Sequence, residues 1–310
     1  MAPQPGPPIR IGTRGSPLAL VQARQAAARL EAAHPGLATE LVPIRTTGDR
    51  VTDRPLAAIG GKGLFTKELE EALLDGRIDL AVHSMKDMPT VLPDGLEIAC
   101  LLEREDPRDA LICPRSATVA GLPRGAVVGS ASLRRQAQLL HRRPDLRLVP
   151  LRGNVETRLA KLAQGEVDAT LLAVAGLKRL GLLDRASGIL APEEILPAVA
   201  QGAIGLESRR GDARLGALLQ AIDHRATAVC VAAERGLLAA LDGSCRTPIA
   251  ALATLDGDTV GLRGQVLAPD GSEVVETVRR GAAADAARLG RDAGEELKRR
   301  AGPKFLAALG

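Results

Sequence analysis

The chain has 310 residues, 45% hydrophobic and 25% charged, with a formal net charge of +4. That is enough for two or three domains with cores of their own, and the balance is that of a globular protein rather than a disordered or fibrous one. No run of about 18 uncharged apolar residues occurs, so no membrane-spanning helix is expected. Two phenylalanines, with no tyrosine or tryptophan, leave no stacking platforms for single-stranded nucleic acid.

Of the 41 basic residues seven are lysine and 34 arginine. The planar fork of arginine suits carboxylates and phosphates. Alanine, glycine and proline are abundant too, as in GC-rich coding, so only the positions of the arginines carry information. The opening Met-Ala-Pro-Gln-Pro-Gly-Pro-Pro lacks a basic stretch followed by an apolar core. It reads as a disordered leader rather than a secretory signal, and the compartment as the cytoplasm.

Ile9 to Thr13 reads as a strand, and Ser16-Pro17 as an N-cap followed by proline at the first helical position. The helix Leu18 to Ala33 stops before His34-Pro35-Gly36, and a strand follows near Glu40 to Arg45. Gly60-Gly61-Lys62-Gly63 opens a helix at Leu64 to Asp75. The apolar run Ile78 to Val82 has the length of a buried parallel strand. It leads into Ser84-Met85-Lys86-Asp87-Met88-Pro89, where the proline forbids a helix across the loop. Lys86 and Asp87 then stand at the carboxyl end of a strand, where open α/β sheets bind ligands. A solvated surface loop is the competing reading of this segment alone.

Glu103-Arg104-Glu105-Asp106-Pro107-Arg108-Asp109 is a charged stretch expected to act as a hinge. The alternation restarts with strands at Ala126 to Gly129, Leu146 to Leu151 and Ala169 to Val174, and helices at Ser132 to Arg142 and Val155 to Ala163. A helix from Asp223 to Leu241 leads to Gly243-Ser244-Cys245. Pro248 to Leu255, Thr259 to Leu267 and Ser272 to Val278 alternate as antiparallel strands with glycine turns, and a helix from Ala283 to Arg300 closes the chain. The fold class is α/β: parallel-rich sheets with flanking helices on both faces, then a small α+β domain.

Four strand-to-helix junctions carry basic or hydroxyl residues: Thr13-Arg14-Gly15-Ser16, Gly61-Lys62-Gly63, Gly129-Ser130-Ala131-Ser132-Leu133-Arg134-Arg135, and Leu151-Arg152-Gly153-Asn154 with Arg158 one turn on. Free N–H groups and the dipole at a helix start favour anions, and arginine forks add to that. One such junction is usually a cap. Four together imply a ligand with many negative charges. The P-loop spacing and a helix-opening G-x-G-x-x-G are both absent, which disfavours a nucleotide.

Cys100, Cys113 and Cys230 sit among apolar residues and read as small core hydrophobes; no spacing suits zinc, and no metal is expected. Cys245 differs. In Leu241-Asp242-Gly243-Ser244-Cys245-Arg246-Thr247-Pro248 the thiol is presented on a turn beside an arginine, which favours the thiolate. A partly buried structural cysteine is the alternative.

Ala-Val-His-Ser-Met-Lys-Asp-Met-Pro, Ser-Leu-Arg-Arg-Gln, Leu-Arg-Gly-Asn-Val-Glu-Thr-Arg and Gly-Ser-Cys-Arg-Thr-Pro occur in that order. With their surroundings (residues 9–31, 60–90, 103–113, 127–182, 196–207 and 241–250) they resemble the hydroxymethylbilane synthase, or porphobilinogen deaminase, family over nearly the whole chain. The resemblance implies a transferase that joins four porphobilinogen molecules head to tail on a covalent dipyrromethane primer, releases ammonia each time, and hydrolyses off the linear tetrapyrrole. It puts the thioether attachment on Cys245 and a buried catalytic carboxylate on Asp87. It assigns Arg14, Ser16, Lys86, Ser130, Ser132, Arg134, Arg135, Arg152 and Arg158 to the acetate and propionate groups, Lys62 and Phe65 to a mobile covering loop, and Gln201 to the cleft.

The implied fold has two domains like periplasmic binding proteins, residues 1–102 with 201–220 and residues 103–200, plus a third, residues 221–310, carrying the cysteine. The implied partner is a small-molecule substrate alone, with no nucleic acid or membrane, and the implied state a monomer. Ala58 stands where some members carry lysine, Ala131 where serine is frequent, and Val21 where some have tryptophan. Two rivals remain: a non-enzymatic anion receptor on the same fold, which has no use for Cys245 or Asp87, and a nucleic-acid binder, which predicts a basic face and steep salt dependence.

Overall fold

The computed structural model describes residues 7–50, 65–241 and 247–307. The chain divides into two units, Met1–Arg104 with Ala203–Ala228 and Glu105–Gly202 with Val229–Gly310. The leader's first six residues, Gly60 to Leu64 with Lys62, and Asp242 to Arg246 with Cys245 lie outside the described residues.

In the first unit β1 (Ile9–Arg14) lies between β2 (Thr39–Ile44) and β3 (Leu80–Ser84), all parallel. α1 (Pro17–Ala33) starts at Ser16, whose Oγ accepts from Ala19 N at 3.4 Å. Its Ala23, Ala26, Ala27 and Leu30 pack on Ile9, Ile11, Leu80 and Val82. After the one-turn α2 (Thr47–Arg50), α3 (Lys67–Leu74) sets Leu69, Ala72 and Leu73 against Ile78, Ala81 and Leu96. Because side chains alternate along a strand, Leu80 and Val82 meet α1 while Ala81 meets α3, so β3 is covered on both faces.

The sheet is parallel-rich, as expected, with one strand reversed. Its order is β2-β1-β3-β10-β4, and β10 (Ile204–Arg209) runs antiparallel to both β3 and β4 (Leu96–Leu101). α7 (Ala213–Gln220) then returns Leu215 and Leu219 to the α1 side of the core.

The second unit repeats the pattern in the order β7-β6-β8-β5-β9. β6 (Val127–Gly129) is parallel to β7 (Arg147–Val149) and β8 (Ala169–Ala173). β5 (Asp109–Ile112) is antiparallel to β8 and to β9 (Gly188–Ile189). α4 (Leu133–Arg142), α5 (Val155–Ala163) and α6 (Val174–Arg179) follow β6, β7 and β8. In each unit the antiparallel strand is the one the chain enters just after changing units, at 104/105 for β5 and 202/203 for β10. Neither strand is preceded by a helix of its own unit, so helix–strand alternation does not reveal it.

The expected hinge at Glu103 to Asp109 is partly corrected. Residues 102–108 form no regular element, yet Asp109 is the fully buried first residue of β5. Beyond α8 (Arg225–Ala240), β11 (Ile249–Asp256), β12 (Thr259–Leu267) and β13 (Val274–Ala282) form a separate antiparallel sheet. α9 (Ala286–Ala307) covers it, and its regular part breaks at Gly302, ahead of Pro303. A Cβ on Gly290 would run into the Ala233 carbonyl, so glycine is what lets α8 and α9 approach backbone to backbone. Glu234, fully buried on α8, accepts from Ala200 N at 2.6 Å and Ala253 N at 2.8 Å.

Candidate active site

β3 ends in a single 3-10 turn, Met85–Asp87, which stops short of Pro89. Met88 N closes it onto Met85 O at 3.2 Å, and Met88 then goes extended ahead of Pro89. The turn is anchored from inside. Met85 and Met88 are 2% and 3% exposed, and a Cβ on Gly205 of β10 would take the place of Met85 Sδ. With the two methionines inward, Lys86 is half-buried and Asp87 exposed. The expectation of a buried Asp87 carboxylate is therefore corrected. A three-residue turn pinned at Met85 leaves its last residue no core to enter.

Asp87 shares a pocket with Arg14, Phe65, Gln22, His83 and Ser84. Arg14 ends β1, and its guanidinium carbon lies 4.0 Å from the centroid of the Phe65 ring, a cation–π contact. Gln22 is 4% exposed on the inner face of α1 and donates from Nε2 to Ser84 Oγ at 2.8 Å. Sequence reasoning missed Gln22, His83 and Ser84. The detectable signal was Gln22 itself, a polar residue on the helix stripe otherwise occupied by Ala19, Ala23 and Ala26.

In the second unit the junctions after β6 and β7 are neighbours, since the two strands pair in parallel and Ser130 N donates to Val149 O at 2.9 Å. Ser130 Oγ accepts from Ser132 N, and Ser132 Oγ caps α4 by accepting from Arg135 N. Arg152 and Arg158 are half-buried beside the junction, with Arg158 Nε donating to Gly153 O at 2.9 Å.

Arg134, Arg135 and Gln201 differ from the expectation of open anion-gripping groups. They are 4%, 6% and 1% exposed. Arg134 Nη2 and Arg135 Nη2 each donate to Asp109 at 2.7 Å, and Gln201 Nε2 donates to Asp109 at 2.9 Å and to Pro107 O at 2.6 Å. Arg134 Nη1 and Arg135 Nη1 donate to the Leu196 and Leu171 carbonyls respectively. Burial alone would raise the Asp109 carboxyl; the two guanidiniums beside it hold it well below the usual carboxylate range. Asp109 entered the sequence reading as hinge charge, because nothing local marks a carboxylate whose partners lie 25 and 26 residues on.

Cys100, Cys113 and Cys230 are buried and form no disulfide, as expected of core thiols. Burial, with Asp223 adding to it, pushes the Cys100 thiol up to about 12, which keeps it inert. Among the described residues no group of three His, Cys, Asp or Glu side chains is placed to hold a metal ion.

Residues 9–217 match the family model described as porphobilinogen deaminase, dipyromethane cofactor binding domain, and residues 228–299 match the porphobilinogen deaminase C-terminal domain. Porphobilinogen deaminase of Paracoccus denitrificans is 60% identical over 306 residues, covering 98% of this chain and 97% of the relative. The chain belongs to the porphobilinogen deaminase family. The chloroplastic porphobilinogen deaminase of Oryza sativa is 55% identical over 308 residues, covering 97% and 86%. Among solved structures, the periplasmic aliphatic sulphonate binding protein SsuA of Escherichia coli has a TM-score of 0.42 at 21% identity, covering 76% of this chain and 71% of that one.

The residues at the pocket fit the dipyrromethane of a porphobilinogen deaminase. Such a group presents pyrrole N–H donors and acetate and propionate carboxylates. The pocket offers a carboxylate acceptor in Asp87, cations in Arg14 and the adjoining Lys86, and an aromatic edge in Phe65.

Proposed function

We propose that this chain joins four porphobilinogen molecules head to tail and hydrolyses off hydroxymethylbilane, with Asp87 as the proton-transferring residue and Cys245 as the attachment of the primer. The observation that carries the reading is the pocket in which one exposed carboxylate, Asp87, lies with Arg14 stacked on Phe65. When bound, the dipyrromethane supplies the electron-rich ring carbon on which the chain grows. Asp87 hands a proton to the departing amine nitrogen of porphobilinogen and takes back the ring proton displaced by the new carbon–carbon bond. Ammonia is then the only by-product. Between transfers the carboxylate accepts from pyrrole N–H groups and stabilises positive charge on the rings.

Arg14, Ser16, Lys86, Ser130, Ser132, Arg152 and Arg158 are assigned to the acetate and propionate groups, with Lys62 and Phe65 on the segment covering the site. Arg134, Arg135 and Gln201 keep their assigned place among the binding residues, acting from the Asp109 network in which they are held. Cys245 acts once, as the thiolate nucleophile that anchors the primer. Three domains are proposed, residues 1–102 with 201–220, 103–200 and 221–310, the last carrying Cys245. Buried thiols without disulfides suit a reducing compartment, so the cytoplasm is proposed. No helix of the described residues is long and apolar enough to cross a membrane. A monomer whose partner is the small-molecule substrate alone is the proposed state.

Intact mass tests the reading. The purified protein should exceed its sequence mass by two deaminated porphobilinogen units, and Cys245→Ser should lack that increment. A wild-type protein at its bare mass after incubation with porphobilinogen overturns the primer assignment, and an adduct persisting on Cys245→Ser moves the attachment elsewhere.

A further inference from the structure

Gln22 is a polar side chain on the inner stripe of α1, where the other buried positions are Ala19, Ala23, Ala26, Ala27 and Leu30. It is 4% exposed, and burying an amide costs free energy unless it is hydrogen-bonded. Its partner stands at the end of β3. Gln22 Nε2 donates to Ser84 Oγ at 2.8 Å, and Gln22 Oε1 lies 3.1 Å from the same hydroxyl, close enough to accept from it. Both atoms of the amide end are turned on one hydroxyl.

Ser84 has a nearer use for that hydroxyl. It is the N-cap of the turn Met85–Asp87, where a serine ordinarily accepts from the N–H two or three residues on. Ser16 and Ser132 do so at the starts of α1 and α4, whereas Ser84 makes no side-chain bond to its own turn. The tie to Gln22 also stands where the sheet stops. β1 and β3 pair at Ile11 with Leu80 and at Gly12 with Ala81, and the last residues of the two strands, Arg14 and Ser84, lie beyond that pairing. Thr13 Oγ1 donates to Ala19 O at 3.1 Å, which fixes the end of β1 to α1. Gln22 fixes the end of β3 to the same helix.

We propose that Gln22 is a positioning residue: it holds Ser84 against α1 and so sets the turn that carries Asp87 at a fixed reach from Arg14. Gln22, Ser84, Arg14 and Asp87 line one pocket. Gln22 acts through Ser84 and needs no contact with the substrate. Proton transfer by Asp87 and the grip of Arg14 on a carboxylate act on one bound molecule, so their separation decides how often it is in reacting geometry. A misplacement of about 1 Å can cost about 10²-fold in rate. Released from Gln22, the Ser84 hydroxyl falls back to the local N-cap bond, and the end of β3 is no longer tied to α1. The consequence for turnover rests on the role proposed for Asp87, whereas the tie and its effect on the turn do not.

The test takes Gln22→Leu, which suits the apolar stripe, and Ser84→Ala, singly and together, as holoenzymes. Each single variant should keep its covalent adduct and lose about 10-fold or more in kcat, with KM for porphobilinogen within about twofold of wild type. The double variant should be no slower than the slower single one, because both changes remove the same tie. Ser84→Thr keeps the hydroxyl and should recover most of what Ser84→Ala loses. A crystal structure of Gln22→Leu should show Ser84 Oγ accepting from Lys86 N or Asp87 N. Wild-type kcat in Gln22→Leu, losses that multiply in the double variant, or Ser84 Oγ still directed at α1 in that crystal structure overturns the proposal. The crystal structure reads no turnover, so it decides even if the wild type makes no tetrapyrrole, a result that would sink only the enzymatic reading of the pocket. If Gln22→Leu does not fold, the serine variants decide, and equal kcat in Ser84→Ala and Ser84→Thr overturns the proposal.

Discussion

Asp87→Ala is expected to fold like the wild type, to carry its covalent adduct, and to make hydroxymethylbilane about 10²–10⁴-fold more slowly, the range that a positioned proton donor contributes. The structural reason for intact folding is that Asp87 is exposed on a turn held by Met85 and Met88 from inside. Surface substitutions of that kind usually change stability by less than about 0.5 kcal/mol. The reason for lost turnover is that Asp87 supplies the carboxylate of the pocket lined by Arg14, Phe65 and Ser84. Asp87→Asn keeps an oxygen to accept from a pyrrole N–H but cannot pass a proton, so it should fall nearly as far. Asp87→Glu keeps the chemistry on a longer arm and should fall less. Steady-state formation of hydroxymethylbilane, read with a melting curve and an intact mass on each variant, checks the set. Near-normal turnover by Asp87→Ala would remove this residue from the chemistry.

Asp109→Ala is expected to cost about 3–5 kcal/mol of stability, the range for removing one partner of a buried ion pair. The carboxylate is fully buried and takes two guanidinium forks and the Gln201 amide. Without it Arg134 and Arg135 keep only carbonyl partners, Leu196 O and Leu171 O, and two positive charges stay in the interior. Asp109→Asn retains the shape and loses the charge, so it should fall between wild type and alanine. The depressed Asp109 carboxyl also contributes stability that is present above the unfolded value near pH 3.9 and is lost as the pH falls towards its folded value. Denaturant titrations at neutral and acid pH should accordingly converge for wild type and Asp109→Asn as the medium becomes strongly acidic. A neutral-pH loss under about 1 kcal/mol for Asp109→Ala would mean that the two arginines find other partners.

The active-site strand was legible because an apolar run ending in Lys86-Asp87-Met88-Pro89 has few ways to end, and the helix caps because Ser16 and Ser132 bond to backbone three residues away. Gln22 and His83 were not legible as pocket residues. Each reaches its place through a strand or helix face, and their partners Ser84 and Glu207 lie 62 and 124 residues further on. Arg134 and Arg135 looked like open anion grips for the same reason, since their sequence neighbours contain no carboxylate and Asp109 is out of local view.

By itself the sequence determined what depends on short range: the helix starts, the carboxyl end of β3, the apolar setting of Cys100, Cys113 and Cys230, and a motif set specific enough to name a family. The tertiary structure alone decided that β5 and β10 run antiparallel after the chain changes units, that Asp87 is exposed while Asp109 is fully buried, and that His83 and Glu207 pair in the interior. The division is physical. Capping, alternation and proline act over a few residues, whereas burial and the pairing of a charge depend on which distant segment packs against it.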